Sequence, residues 1–201
     1  MKNLILSLFL LFSSSLFSQT ALDWADKGIA KSESGNFRGA ILDFNKAIEL
    51  EKQNYFFYLF RGNAKKSLGD FRGAILDFNK SIELNPDDQS SYYFRGDAKI
   101  RLQDYRGALL DFNKAIELNP NKESSYFTRG EAKFALEDYR GAILDFNKCI
   151  ELNPKNGGFY LSRGKAKYLI GLKNEGCLDF SKSGELGNAD AYDLIKSYCN
   201  N

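Results

Sequence analysis

The sequence contains no histidine, a single methionine and a single tryptophan, and only three prolines and three cysteines in 201 residues. Without histidine, the commonest general base and the commonest metal ligand are missing. Cys149, Cys177 and Cys199 stand too far apart for a zinc or thioredoxin-type pair. No nucleophile with an adjacent base, no metal-ligand set and no phosphate loop can be read, so no catalytic residue, metal or cofactor is expected and the chain is not expected to be an enzyme. An excess of one charge is also missing: 28 basic residues face 26 acidic ones. Bulk electrostatics therefore give no reason to expect nucleic acid or a membrane surface as partner. What remains, 43% hydrophobic and 27% charged, is ordinary globular composition.

Long apolar runs are scarce too. One block, Leu4 to Phe12, follows Lys2 and precedes small polar residues from Ser13 to Ser18. That order is the one found in a secretory signal peptide, and the block is short for a membrane span. Residues 1–18 are expected to be a signal peptide, with an exported mature chain, periplasmic or secreted, beginning near Gln19 and holding no stable place in the membrane.

The rest of the chain is a repetition. RGAILDFNK runs from Arg38 to Lys46 and returns at Arg72, at Arg106 as RGALLDFNK, and at Arg140, always at a spacing of 34. Stepping by 34 also links Gly28, Gly62, Gly96, Gly130 and Gly164, and links Phe44 with Phe78, Phe112, Phe146 and Phe180. Five units tile residues 21–54, 55–88, 89–122, 123–156 and 157–190.

Within the third unit, apolar and small residues follow steps of three and four through Leu102, Tyr105, Ala108, Leu109, Phe112, Ala115 and Ile116, the period of a helix. Gly35, Gly69 and Gly171 suit the left-handed residue that ends a first helix, and Asn36, Asp70, Asp104 and Asp138 suit the N-cap of a second. Asn-Pro at Asn85, Asn119 and Asn153 stops the second helix. Each unit reads as a helical hairpin.

This pattern resembles the tetratricopeptide repeat: a period of 34 with an aromatic, glycine, alanine, phenylalanine, alanine and proline, matched by Tyr92, Gly96, Ala108, Phe112, Ala115 and Pro120. It departs where the family often has tyrosine, three residues after the glycine, by placing Lys31, Lys65, Lys99, Lys133 and Lys167 there. The resemblance implies an all-α fold, a right-handed superhelical solenoid of five helix-turn-helix units. A capping helix is expected to close the last face over residues 191–201, its pattern readable from about Ala189 to Cys199 with Tyr192, Ile195 and Cys199 inward. Arg61, Arg95, Arg129 and Arg163 are expected to form a ladder with Asp77, Asp111, Asp145 and Asp179, partly exposed and worth about 0–1 kcal/mol per pair.

In such a solenoid the partner lies on the concave face of the first helices. One step past the core stands the stripe Ala25, Leu59, Tyr93, Phe127, Leu161; further rows carry Asp97 and Glu131, and Ile100, Phe134 and Tyr168. A groove lined by Leu59, Tyr93, Asp97, Ile100, Phe127, Glu131, Phe134 and Tyr168, with its aromatics clustered at mid-length, is expected to hold a segment of another protein. The expected function is therefore an exported interaction scaffold. An alternative is a redox-active thiol protein using Cys177 and Cys199. Antiparallel packing of the terminal helix is expected to bring those two together as a disulfide that staples the cap, the alternative being two free thiols in a reducing compartment, while Cys149 replaces a small core residue and reads as a buried thiol.

Overall fold

The computed structural model describes residues 20–199, so the segment read as a signal peptide, 1–18, lies outside the described residues. These form eleven helices without a strand: α1 (Ala21–Glu33), α2 (Phe37–Leu50), α3 (Tyr55–Ser67), α4 (Phe71–Leu84), α5 (Gln89–Arg101), α6 (Tyr105–Leu118), α7 (Glu123–Ala135), α8 (Tyr139–Leu152), α9 (Gly157–Leu169), α10 (Lys173–Glu185) and α11 (Asp190–Tyr198). Each packs on its neighbours in chain order, giving five hairpins and a cap. Consecutive first helices also touch one another, which makes their layer the inner, shorter side of the stack.

The local signals act as their chemistry dictates. Asn36, Asp70, Asp104 and Asp138 each accept a hydrogen bond from the backbone N–H three residues on, capping α2, α4, α6 and α8. Asn85, Asn119 and Asn153 leave the helix in extended conformations before their prolines. Gly69 turns the chain at φ 82, but the same place in the third and fourth units is held by Gln103 and Glu137, both at φ 62. Those two side chains are strained where glycine would be at ease.

The core repeats with the units. Phe44, Phe78, Phe112, Phe146 and Phe180 are all buried, each beneath a small residue of the first helix. A Cβ on Gly96 would stand 3.0 Å from the Phe112 ring, so only glycine lets the two helices close at this point. On the outer side of the second helices a different residue recurs: Leu42, Leu76, Leu110, Leu144 and Leu178 are 65–71% exposed. The cap differs in detail from its expected face. Ala191 is fully buried, with Leu194, Ile195 and Cys199 against Leu161 and Phe180, while Tyr192 is largely exposed and reaches only the Gly184 carbonyl.

Candidate functional site

The stripe expected to stand clear of the core is divided. Leu59 and Leu161 are only 6% and 7% exposed, and Ala25 is buried with them. Leu59 packs with Ala74, Phe78 and Ala98, and is therefore a core residue and no part of a groove. Tyr93 and Phe127 are half-buried, their rings 5.9 and 5.8 Å from Phe112 and Phe146. The cause is the direct contact of neighbouring first helices, which draws residues one step past the core into the seam between units.

Mid-groove is consequently polar. Asp97 is bound by Lys66 of the preceding unit at 2.5 Å, and that ammonium also lies 4.8 Å from the centre of the Phe94 ring. The Tyr93 hydroxyl lies 3.4 Å from Thr128, and Ile100 is half-buried. Glu131 faces solvent beside Ser162 and Lys165. Partial desolvation holds its carboxyl above the usual range, against the Ser162 hydroxyl and the Lys165 charge.

Apolar cavities lie at the two ends of the groove. Near the N-terminus, one of about 260 Å³ is walled by Leu22, Ile29, Phe56 and Phe60, with Asp26 as its charged residue. Near the C-terminus, one of about 270 Å³ is walled by Phe134, Tyr168, Leu169, Phe180, Leu194 and Tyr198, with Lys165 at its edge. Phe134 and Tyr168 thus reach a pocket, together with residues that the sequence reading passed over. Leu22 and Phe56 belong to a fourth row, three residues ahead of the first stripe; its later members, Ser90, Ser124 and Gly158, carry no apolar signal.

The arginine ladder is stronger than an exposed pair. Arg95 grips Asp111 through Nε and Nη2 and, through Nη1, donates at 2.8 Å to Asn79 of the preceding unit. Lys99 sits 2.7 Å from the second Asp111 oxygen. The same set recurs at Arg61, Arg129 and Arg163. Asp111 is 2% exposed, so the expected 0–1 kcal/mol is a correction to make: that range belongs to solvated pairs, and this carboxylate is buried. The ladder also accounts for the lysines standing where tyrosine was expected.

Cys177 of α10 and Cys199, just past α11, are joined as a disulfide with Cα atoms 5.7 Å apart. Cys149 is buried and unpaired, and its thiol donates to the Glu123 carbonyl at 3.5 Å. Burial, with Asp145 and Glu123 nearby, pushes its pKa up to about 12. Among the described residues no helix is long and apolar enough to cross a membrane.

Models of the tetratricopeptide repeat match residues 57–88, 90–122 and 124–156. These units are tetratricopeptide repeats. Units 21–54 and 157–190 continue the same hairpin geometry on either side. Among solved structures, MamA matches with TM-score 0.76 and 26% identity over 82% of this chain and 96% of that one. A MamA fragment from Desulfovibrio magneticus RS-1 matches with TM-score 0.78 and 20% identity, over 83% and 94%. YrrB, described as a tetratricopeptide-repeat protein with an unusual peptide-binding site, matches with TM-score 0.76 and 18% identity, over 88% and 92%. No curated protein sequence matches the chain. The tetratricopeptide fold is thus shared with proteins of the same length scale.

Proposed function

We propose that the chain is an exported tetratricopeptide scaffold that holds a segment of a partner protein along its first-helix face and has no catalytic chemistry of its own. The observation that carries this reading is the pair of apolar cavities on that face. Their walls include Phe56 and Leu169, which stay about half exposed. Apolar side chains left open in a concave layer are the usual mark of a docking surface. A solenoid of the same fold, YrrB, carries a peptide-binding site. The order of charge and apolar residues in the first 18 positions supports export, to a periplasm or to the outside. The thiol alternative draws less support: Cys149 is buried with a pKa near 12, and Cys177 and Cys199 tie two helices together.

The test is affinity capture by the mature chain from its own cell envelope, read by mass spectrometry and compared with the double variant Phe56→Ala, Leu169→Ala. A specific partner held by the parent chain and lost by the variant, with circular dichroism and melting temperature unchanged, supports the groove. A partner held equally by both removes it. Tyr93 and Phe127 are unsuitable for this purpose, because their rings pack on the core phenylalanines.

A further inference from the structure

The C-terminal cavity is unlike the rest of the groove in how its wall is held. Phe134 comes from α7, Tyr168 and Leu169 from α9, and Phe180 from α10, all inside the repeat stack. Leu194 and Tyr198 come from α11, which has nine residues and no side-chain hydrogen bond at its N-cap. A helix of that length has no stability of its own in water. It packs mainly on α10, and reaches α9 only through side chains, at Leu161 and Tyr168. What fixes it is the burial of Ala191, the Tyr168–Tyr198 ring contact at 4.8 Å, and the Cys177–Cys199 bond at its far end. Tyr198, the wall residue next to Cys199, is the one the bond positions most directly.

The size and chemistry of the cavity select its occupant. About 270 Å³ is below the range of pockets that take whole small molecules, roughly 300–1,000 Å³, and suits one large side chain. Its walls present Phe134, Tyr168 and Tyr198, which favour edge or offset contact with another ring. Lys165 stands at the rim, Lys173 lies 5.5 Å from the centre of the Tyr168 ring, and Glu131 with Ser162 lies beside Lys165. At the cavity's Lys165–Tyr168 side, two ammonium groups thus stand against one carboxylate.

Building on the groove reading, we propose that the cavity is the anchor pocket for one aromatic side chain of the partner segment, with an acidic group next to it, and that the pocket exists only while the Cys177–Cys199 disulfide holds α11 in place. Reduction by a dithiol moves two electrons: the S–S bond breaks, each cysteine sulfur takes a proton, and the dithiol leaves as its own cyclic disulfide. Helix α11 then loses its tether, and Leu194 and Tyr198 leave the wall. The five repeats remain, since their ladder and core involve no disulfide.

The experiment uses the mature protein and the dipeptide N-acetyl-tryptophyl-glutamate, with N-acetyl-tryptophyl-lysine as its counterpart, followed by the NMR signals of Leu169, Leu194 and Tyr198. The acidic dipeptide is expected to shift these signals saturably and more tightly than the basic one. If release leaves α11 docked in about a tenth of molecules, affinity falls about tenfold on adding dithiothreitol or in Cys199→Ser, while the helical signal of the repeats persists. Tyr198→Ala with the disulfide intact should lose the dipeptide without loss of the repeats. Equal binding by oxidised and reduced protein, or no shift at these residues, overturns the proposal. Partner capture that survives Tyr198→Ala overturns the pocket and leaves the groove reading standing; capture that survives Phe56→Ala, Leu169→Ala sinks the groove reading itself.

Discussion

Two sets of ion pairs run the length of the second helices and behave as different objects. On the inner side Asp111 is closed in by Arg95 and Lys99 and is 2% exposed. Three residues further on, Lys114 pairs with Glu117 at 2.6 Å, and that glutamate side chain is 68% exposed. Both sets repeat at 34 residues and both are short, so distance and recurrence do not rank them. Solvent does. The buried carboxylate has no water to fall back on when a partner is removed, and the outer pair has water on every side.

The comparison breaks first at the buried aspartate. Asp111→Ala leaves Arg95 and Lys99 facing one another in a closed seam, and should lower unfolding free energy by about 3–5 kcal/mol in a urea melt. A loss no larger than that of a surface change would place the ladder with the outer pairs. The first unit offers the opposite test. Asp43 has Lys31 at 2.6 Å, but its Oδ2 accepts no well-directed hydrogen bond, and the arginine place is held by Lys27, which lies over the Trp24 ring. Lys27→Arg should supply the missing fork and raise stability by about 1 kcal/mol.

A smaller gain is expected at the turns. Gln103→Gly relieves a left-handed backbone and should add about 0.5–1 kcal/mol, seen as a higher urea midpoint at unchanged slope. Smallest of all is the outer set. The hydrogen bond to Glu117 holds the Lys114 ammonium above its ordinary pKa, but Lys114→Ala should shift the melting temperature by no more than repeat scans scatter. A thiol count closes the series without touching stability: denatured mature protein should show one reactive thiol, Cys149, and native protein none at neutral pH.

The fold was legible because each unit solves one packing problem with few residue types. Gly96, Ala108 and Phe112 leave little freedom for what lies between them, and Asp104 and Asn119 mark where the second helix starts and stops. The groove was less legible, since an apolar residue on a first helix reads alike whether it faces a partner or the neighbouring unit. Leu59 went into the seam, and Phe134 kept an open side. Burial of the aspartates was hidden for a similar reason: a recurring charge pair carries no sign of how deep it lies. Gln103 and Glu137 show that a left-handed turn can recur without the glycine that would announce it.

The ladder has a consequence for growth. Asn45, Asn79, Asn113 and Asn147 each accept from the arginine of the unit that follows. After the last unit there is no such arginine, and the matching residue is Ser181, whose hydroxyl turns back to its own helix at the Cys177 carbonyl. At the other end Lys27 stands in place of the arginine. Every internal joint is a matched plug and socket, and neither free end carries its half. A stack with complete joints at both ends could add further copies head to tail without limit, as an open filament does. This chain instead lacks a half-joint at each end: the asparagine–arginine pairing that links unit to unit begins at Asn45 and stops at Arg163.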